Sequence, residues 1–363
     1  MRSALLVAFA LALLATAARA EEAIAAFPKG WKEPQVAVAP DGVFVVAAKE
    51  GVIALSSSAD AKSFSEPVTV AKVEKLMCGM RRGPRIAATK KALVVTAISA
   101  ASGDLASWRS LDRGATWLGP VRVNGQERSA REGLDGLAAG PKGELAVAWL
   151  DDRKGGKEVW AAVSKDDGAS WKEGLAYASP DGHVCECCHP SVAWNEKGEL
   201  AVLFRNWLDG ARDFYVVVSK DAGKTWGKAV PVILQSWKIN MCPMDGGALA
   251  GTKKGFIAAV RRDSDVFFAR VGAPGESSVR GHGKQPWVAD GATASYLVWL
   301  DGTDLAAEEI TGVSFGEKRR KPLEAIAHGA SDPCVASALG GSGPVVAVWQ
   351  QEDGVFAKVL ARD

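Results

Sequence analysis

The 363 residues carry 44 Lys and Arg against 42 Asp and Glu, a formal net charge of +2. A chain so balanced offers no electrostatic basis for nucleic acid or an anionic membrane as partner. Its 39 glycines and short aliphatic runs, with no proline-rich, serine-rich or single-charge linker, argue for one closed domain.

Residues 1–20 read as a secretory signal peptide, with a basic start at Arg2, an apolar core from Ala4 to Ala15, and small residues at Ala18 and Ala20 around Arg19. That core is too short for a membrane span, and no later stretch is long and apolar enough. The expectation is an exported chain, periplasmic or secreted, whose mature domain occupies residues 21–363 as a monomer.

From there the chain repeats. Units start near Pro34, Pro84, Leu134, Pro190, Pro243, Pro286 and Pro333. In the fourth, Pro190 to Trp194, Leu200 to Arg205, Phe214 to Ser219 and Trp226 to Ile233 are short Val-rich runs bounded by Asn, Gly, Asp and Lys, the pattern of four strands. Three segments align without gaps: Ser110 to Trp117, Ser164 to Trp171 and Ser219 to Trp226, spaced about fifty-four residues apart. Each reads S-x-D-x-G-x-[ST]-W, with Asp112, Asp166 and Asp221 at the third place and Trp117, Trp171 and Trp226 at the last. A worn copy runs from Ser58 to Phe64. Aspartate accepts backbone N–H bonds in such a turn, glycine takes a positive φ, and tryptophan plugs the start of the next strand. These residues are therefore structural.

The fold predicted is all-β, a propeller of four-stranded blades, which protects sheet edges by radial repetition. Seven blades are counted, with six left open because the boxes fade after Met244. The last unit lacks a fourth strand, which Glu22 to Phe27 is placed to supply.

In a propeller the links from one blade to the next, together with the loops between second and third strands, share one face, and the S-x-D-x-G turns lie on the other. All six cysteines fall in or beside the links: Cys78, Cys185, Cys187, Cys188, Cys242 and Cys334. So do the histidines, notably His183 and His189, which flank Cys185-Glu186-Cys187-Cys188. The four methionines beyond Met1 form two copies of one motif, Met77-Cys78-Gly79-Met80 and Met241-Cys242-Pro243-Met244. An exported chain with an even number of cysteines predicts disulfides, in pairings that spacing does not resolve. The alternative is a soft-metal site, because thiolate and thioether ligands together favour Cu(I). A labile thiol pair at Cys187 and Cys188 is a third reading.

The S-x-D-x-G-x-[ST]-W pattern resembles the Asp box, or BNR repeat, of the sialidase superfamily, and the repeats cover most of the mature chain. That resemblance implies three arginines clamping a carboxylate, a tyrosine nucleophile assisted by a glutamate, and an aspartate acid/base. Gly83-Pro84-Arg85-Ile86-Ala87 is similar to the start of the family's first arginine strand, with Ala87 where proline is expected. Arg205, Arg212, Arg261 and Arg262 are further candidates for the clamp, and Glu132, Asp135 and Asp245 for the carboxylates. Tyr215 is the best placed of three tyrosines, each of which reads as a strand residue. Trp207, Trp237 and Trp287 are candidate sugar platforms. Two functions follow as expectations: a propeller binding a small-molecule, glycan or copper ligand at its mouth, or an exo-acting glycoside hydrolase. A disulfide-stapled interaction scaffold is the third.

Overall fold

The computed structural model describes residues 22–362 apart from 182, 276 and 312–320, so the expected leader lies outside the described residues. Seven antiparallel sheets follow one another along the chain, six of four strands and one of five. They occupy residues 32–72, 85–122, 135–177, 183–231, 248–282, 284–327 and 331–361, called blades 1 to 7 here. The innermost strand of each blade touches those of the blades on either side, closing a ring about a central axis. No helix occurs among the described residues.

The seventh blade takes its fourth strand from the other end of the chain. Ile24–Pro28 pairs antiparallel with Gly354–Ala361, from Ile24 opposite Ala357 to Pro28 opposite Gly354, and Phe27 is 1% exposed. The sequence reading of seven units and an N-terminal closing strand holds.

Both faces of every blade pack against a neighbour, so the middle strands are apolar on both sides and not alternating. Every residue of Leu145–Asp151 is buried, as are all but the last of Gly42–Lys49. The core accordingly lies in layers between blades: Val46, Leu55, Leu93 and Val95 between blades 1 and 2, Leu134, Val159, Trp194 and Phe204 between 3 and 4.

The three boxes repeat one geometry. In the second, Asp166 Oδ1 accepts from Ser164 Oγ at 2.8 Å and Ser170 N at 2.9 Å, Asp166 Oδ2 accepts from Ser170 Oγ at 2.6 Å, and Gly168 N donates to Ser164 Oγ at 2.9 Å. Trp171 then reaches into the preceding blade, donating from Nε1 to Ser107 Oγ at 2.9 Å. Each box is thus a turn and a bolt between blades.

Two boundaries depart from expectation. Blade 5 begins at Ala248 instead of near Pro243, because Met244 turns through a left-handed φ of 50° and residues 245–247 remain in the link. The outer strand of blade 4 is reduced to Val230–Pro231.

Candidate metal centre

The innermost strand of blade 4 is broken in two. His183–Val184 pairs with Trp207 and Asn206, whereas Ser191–Trp194 resumes opposite Leu203 to Leu200. Between them residues 185–190 loop out opposite only two residues of the partner strand. Cys185 N anchors the start of the loop by donating to Arg205 O at 2.8 Å. The excursion folds Cys185, Cys187 and Cys188 onto one another, with sulfurs 3.4, 3.8 and 3.9 Å apart. Cys185 and Cys188 are buried, and Cys187 is partly open.

These distances are far longer than the roughly 2.05 Å of a disulfide. All six cysteines are free, so the bridges expected from the even count are not formed. The same distances match the sulfur–sulfur edge of about 3.8 Å that a tetrahedral ion makes with metal–sulfur bonds of about 2.3 Å. Sulfur–sulfur hydrogen bonds to Cys187 and Cys188, working against burial, hold Cys185 far below the ordinary thiol range. Cys188 is pushed up to about 12, chiefly by burial. Arg212 completes the cluster, donating from Nη1 to Cys185 Sγ at 3.0 Å while its guanidinium lies 4.2 Å from the Trp207 ring. Burial, the largest single cause, works against the charge of Arg212, but Cys185 through its charge and hydrogen bond, together with Cys242 and Cys187, raises its pKa on balance.

The other candidate soft donors are dispersed. His183 is exposed and tilted against Trp207. Met77 Sδ packs over Gly133, where an added Cβ would come within 2.5 Å. Cys78 and Cys242 are exposed, Cys334 is buried in blade 7, and Met80, Met241 and Met244 all project into solvent. His282 and His328 pair with Asp265 and Asp304 at the surface.

His189 closes the excursion and points elsewhere. It is 2% exposed, stacks on Trp287 with centroids 5.7 Å apart, and has no partner for either ring nitrogen. Burial, then the charges of Arg81 and Arg85, keep it neutral. It belongs to a polar cluster on the axis. Arg81 lies 4.9 Å from the Trp287 ring and donates to Pro333 O at 3.2 Å. Asp245 accepts from Gln285 N at 2.9 Å and lies 3.3 Å from Arg261. Buried polar atoms of Arg81, Asp135, Asp245, Gln285 and Trp287 have no protein partner. A cavity of about 900 Å³ runs from here along the inner strands to the loops beside the boxes, at Lys90, Lys142 and Lys165. The cavity therefore reaches the face that carries the boxes, with Cys334 on its wall and the Cys185, Cys187 and Cys188 cluster outside its lining.

Two of the candidate clamp arginines, Arg85 and Arg205, are engaged with the fold's own backbone. Arg85 donates to Asp135 O, Pro84 O and Arg81 O. Arg205, 1% exposed, donates to Arg212 O, Asp245 O and Arg261 O and lies 3.9 Å from the Phe214 ring. Trp237 is buried beneath Arg205 and Arg261. Asp135 accepts from Thr96 Oγ1 at 2.7 Å, and burial raises its pKa. Tyr215 sits on the third strand of blade 4 opposite Pro231, whereas Arg85 is on the innermost strand of blade 2.

Glu33, Arg81, Gln285 and Asp332 escaped the sequence reading. For Glu33, Gln285 and Asp332 the signal was a second repeat, Glu33-Pro34-Gln35-Val36-Ala37, Gln285-Pro286-Trp287-Val288-Ala289 and Asp332-Pro333-Cys334-Val335-Ala336, of which Arg81 is not part. In each, the polar residue before proline takes a left-handed φ, 53°, 55° and 46°, at a bulge of the innermost strand. Such strained positions concentrate at functional sites.

Fold and site together define an Asp-box β-propeller with a three-thiol cluster on its link face and a polar cluster on its axis. The chain belongs to the BNR repeat-like domain family, whose pattern matches residues 47–261, more than half its length. Similar solved structures include a protein of unknown function from Dyadobacter fermentans DSM 18053, with TM-score 0.55 and 13% identity over 94% of this chain and 98% of that one. The Hadza microbial sialidase Hz136 has TM-score 0.55 and 15% identity over 92% of this chain and 66% of its own. An α-L-arabinofuranosidase of Fusarium graminearum has TM-score 0.52 and 14% identity over 94% and 97%. At these identities the likeness is one of fold. No curated protein matches the sequence.

Proposed function

We propose that this chain is an exported propeller that binds a soft metal ion, Cu(I) by preference, through Cys185, Cys187 and Cys188. The observation that carries the reading is the convergence of three sulfurs within 3.9 Å of one another. Nothing in core packing calls for three cysteines in four residues on an excursion from a strand. Thiolate ligands without a hard oxygen donor select Cu(I) or zinc over Mg or Ca. Arg212 offsets the negative charge that the sulfurs acquire on losing their protons. Glycoside hydrolysis is less well supported, since the Arg85 and Arg205 guanidiniums are taken up by backbone carbonyls.

The test is metal analysis of the reduced chain after Cu(I) loading and desalting. About one equivalent per chain is expected, falling by about tenfold or more in Cys187→Ser and Cys185→Ser. Retention of copper by both variants would sink the reading. So would turnover of fluorogenic glycosides by the native chain that disappears in Arg85→Ala.

A further inference from the structure

A second soft segment follows a link that is tied to the same hairpin as the three-sulfur excursion. The middle strands of blade 4, Leu200–Leu208 and Ala211–Ser219, are nine residues each and form a hairpin that extends past the broken inner strand. His183–Val184 lines one side of its end and delivers Cys185. Its other side carries the next link: Arg212 N donates to Trp237 O at 2.9 Å, Ile239 N donates to Gly210 O at 3.1 Å, and Ala211 bridges to Lys238. Cys242 follows three residues after that clamp, within about 10 Å of extended chain.

Beside Cys242, Met241 is 65% exposed and Met244 is 37% exposed. Met241 is mostly open to solvent and Met244 in part, and a flexible thioether suits reversible contact with a soft partner.

We infer that Cys242, Met241 and Met244 form an outer docking point at which Cu(I) arrives from a donor and from which it passes to Cys185, Cys187 and Cys188. This rests on the soft-metal reading of the inner site. The transfer is ligand exchange. Donor–copper bonds break as bonds to the two thioethers and the Cys242 sulfur form, and these break in turn as bonds to the three inner sulfurs form. Copper remains Cu(I), no electron moves, and each thiol that becomes a ligand gives its proton to water. Three thiolates hold the ion more tightly than one thiolate and two thioethers, which sets the direction.

The experiment follows uptake by the reduced full chain from the Cu(I)–bicinchoninate complex, by stopped-flow loss of that complex's colour. The variants are Cys242→Ser, the double change Met241→Leu and Met244→Leu, and all three together. Leucine keeps the volume of methionine, and all three positions reach the surface. The combined variant is expected to keep the equilibrium capacity of the native chain and to load about tenfold or more slowly. Unchanged loading rates at unchanged capacity would overturn the inference while leaving the inner site standing. Loss of capacity in the combined variant would also overturn it, by making Cys242 a resident ligand. No uptake by the native chain would overturn the soft-metal reading itself.

Discussion

At the axis, Glu33 is 6% exposed and faces Asp332, and its pKa rises from the ordinary 4.5 to about 7. Burial is the larger cause and Asp332 the next, with Arg85 and Arg81 pulling the other way. The folded chain keeps a proton that the unfolded chain releases near 4.5. This group therefore favours folding below 4.5, and its contribution is lost as pH climbs toward 7. The shift corresponds to about 3 kcal/mol at most. Glu33→Gln is expected to flatten this fall and to be more stable than the native chain above about pH 7. Urea melts at about pH 5 and about pH 8 measure it. An equal slope in both proteins would count against a proton held on Glu33.

At the scale of the element, the box turns explain why the sequence signal is so regular. Asp166 accepts three hydrogen bonds from two residues, Ser164 and Ser170. In the worn copy Asp60 accepts a bond of 2.9 Å from Lys62 N and a long one of 3.5 Å from Ser58 Oγ. Asp166→Ala should cost about 1–2 kcal/mol, the worth of a small set of local hydrogen bonds at a surface turn. Asp60→Ala should cost less. Chemical denaturation of the two variants provides the comparison, and equal losses would show that the worn turn is as strong as the full one. The excursion at 185–190 has a parallel in blade 2, where Leu76 bridges to Ser99 and the inner strand resumes with Arg85 opposite Thr96, but the blade 4 excursion is the one that brings three sulfurs together.

At the scale of the molecule, stability depends on ring closure. Ile24–Pro28 covers the edge of Gly354–Ala361, and the approach is so close that a Cβ on Gly354 would lie 2.2 Å from Phe27 O. Phe27 packs with Val355, Ala357 and Val45 in the layer that joins blade 7 to blade 1. Phe27→Ala should cost about 3–5 kcal/mol. Removing residues 22–28 should leave an open strand edge and shift the chain toward higher-order species than the native protein on size-exclusion chromatography. A monodisperse, stable truncation would mean that the first and seventh blades hold together without the closing strand.

The sequence by itself determined the architecture. A turn such as Ser164 to Trp171 is local chemistry, complete within eight residues, so its repetition announces the blades before any long-range contact is known. The gathering of Cys, Met and His in the links was legible for the same reason. Tertiary structure alone decided which of those residues meet. Cys185, Cys187 and Cys188 converge because a strand breaks, and the link that leads to Cys242 is clamped to the same hairpin. It also withdrew Arg85 and Arg205, whose guanidiniums are taken up by carbonyls from neighbouring blades and links as well as their own. Pairings across a ring depend on bulges, link paths and burial, and those are properties of the closed fold that no run of neighbouring residues encodes.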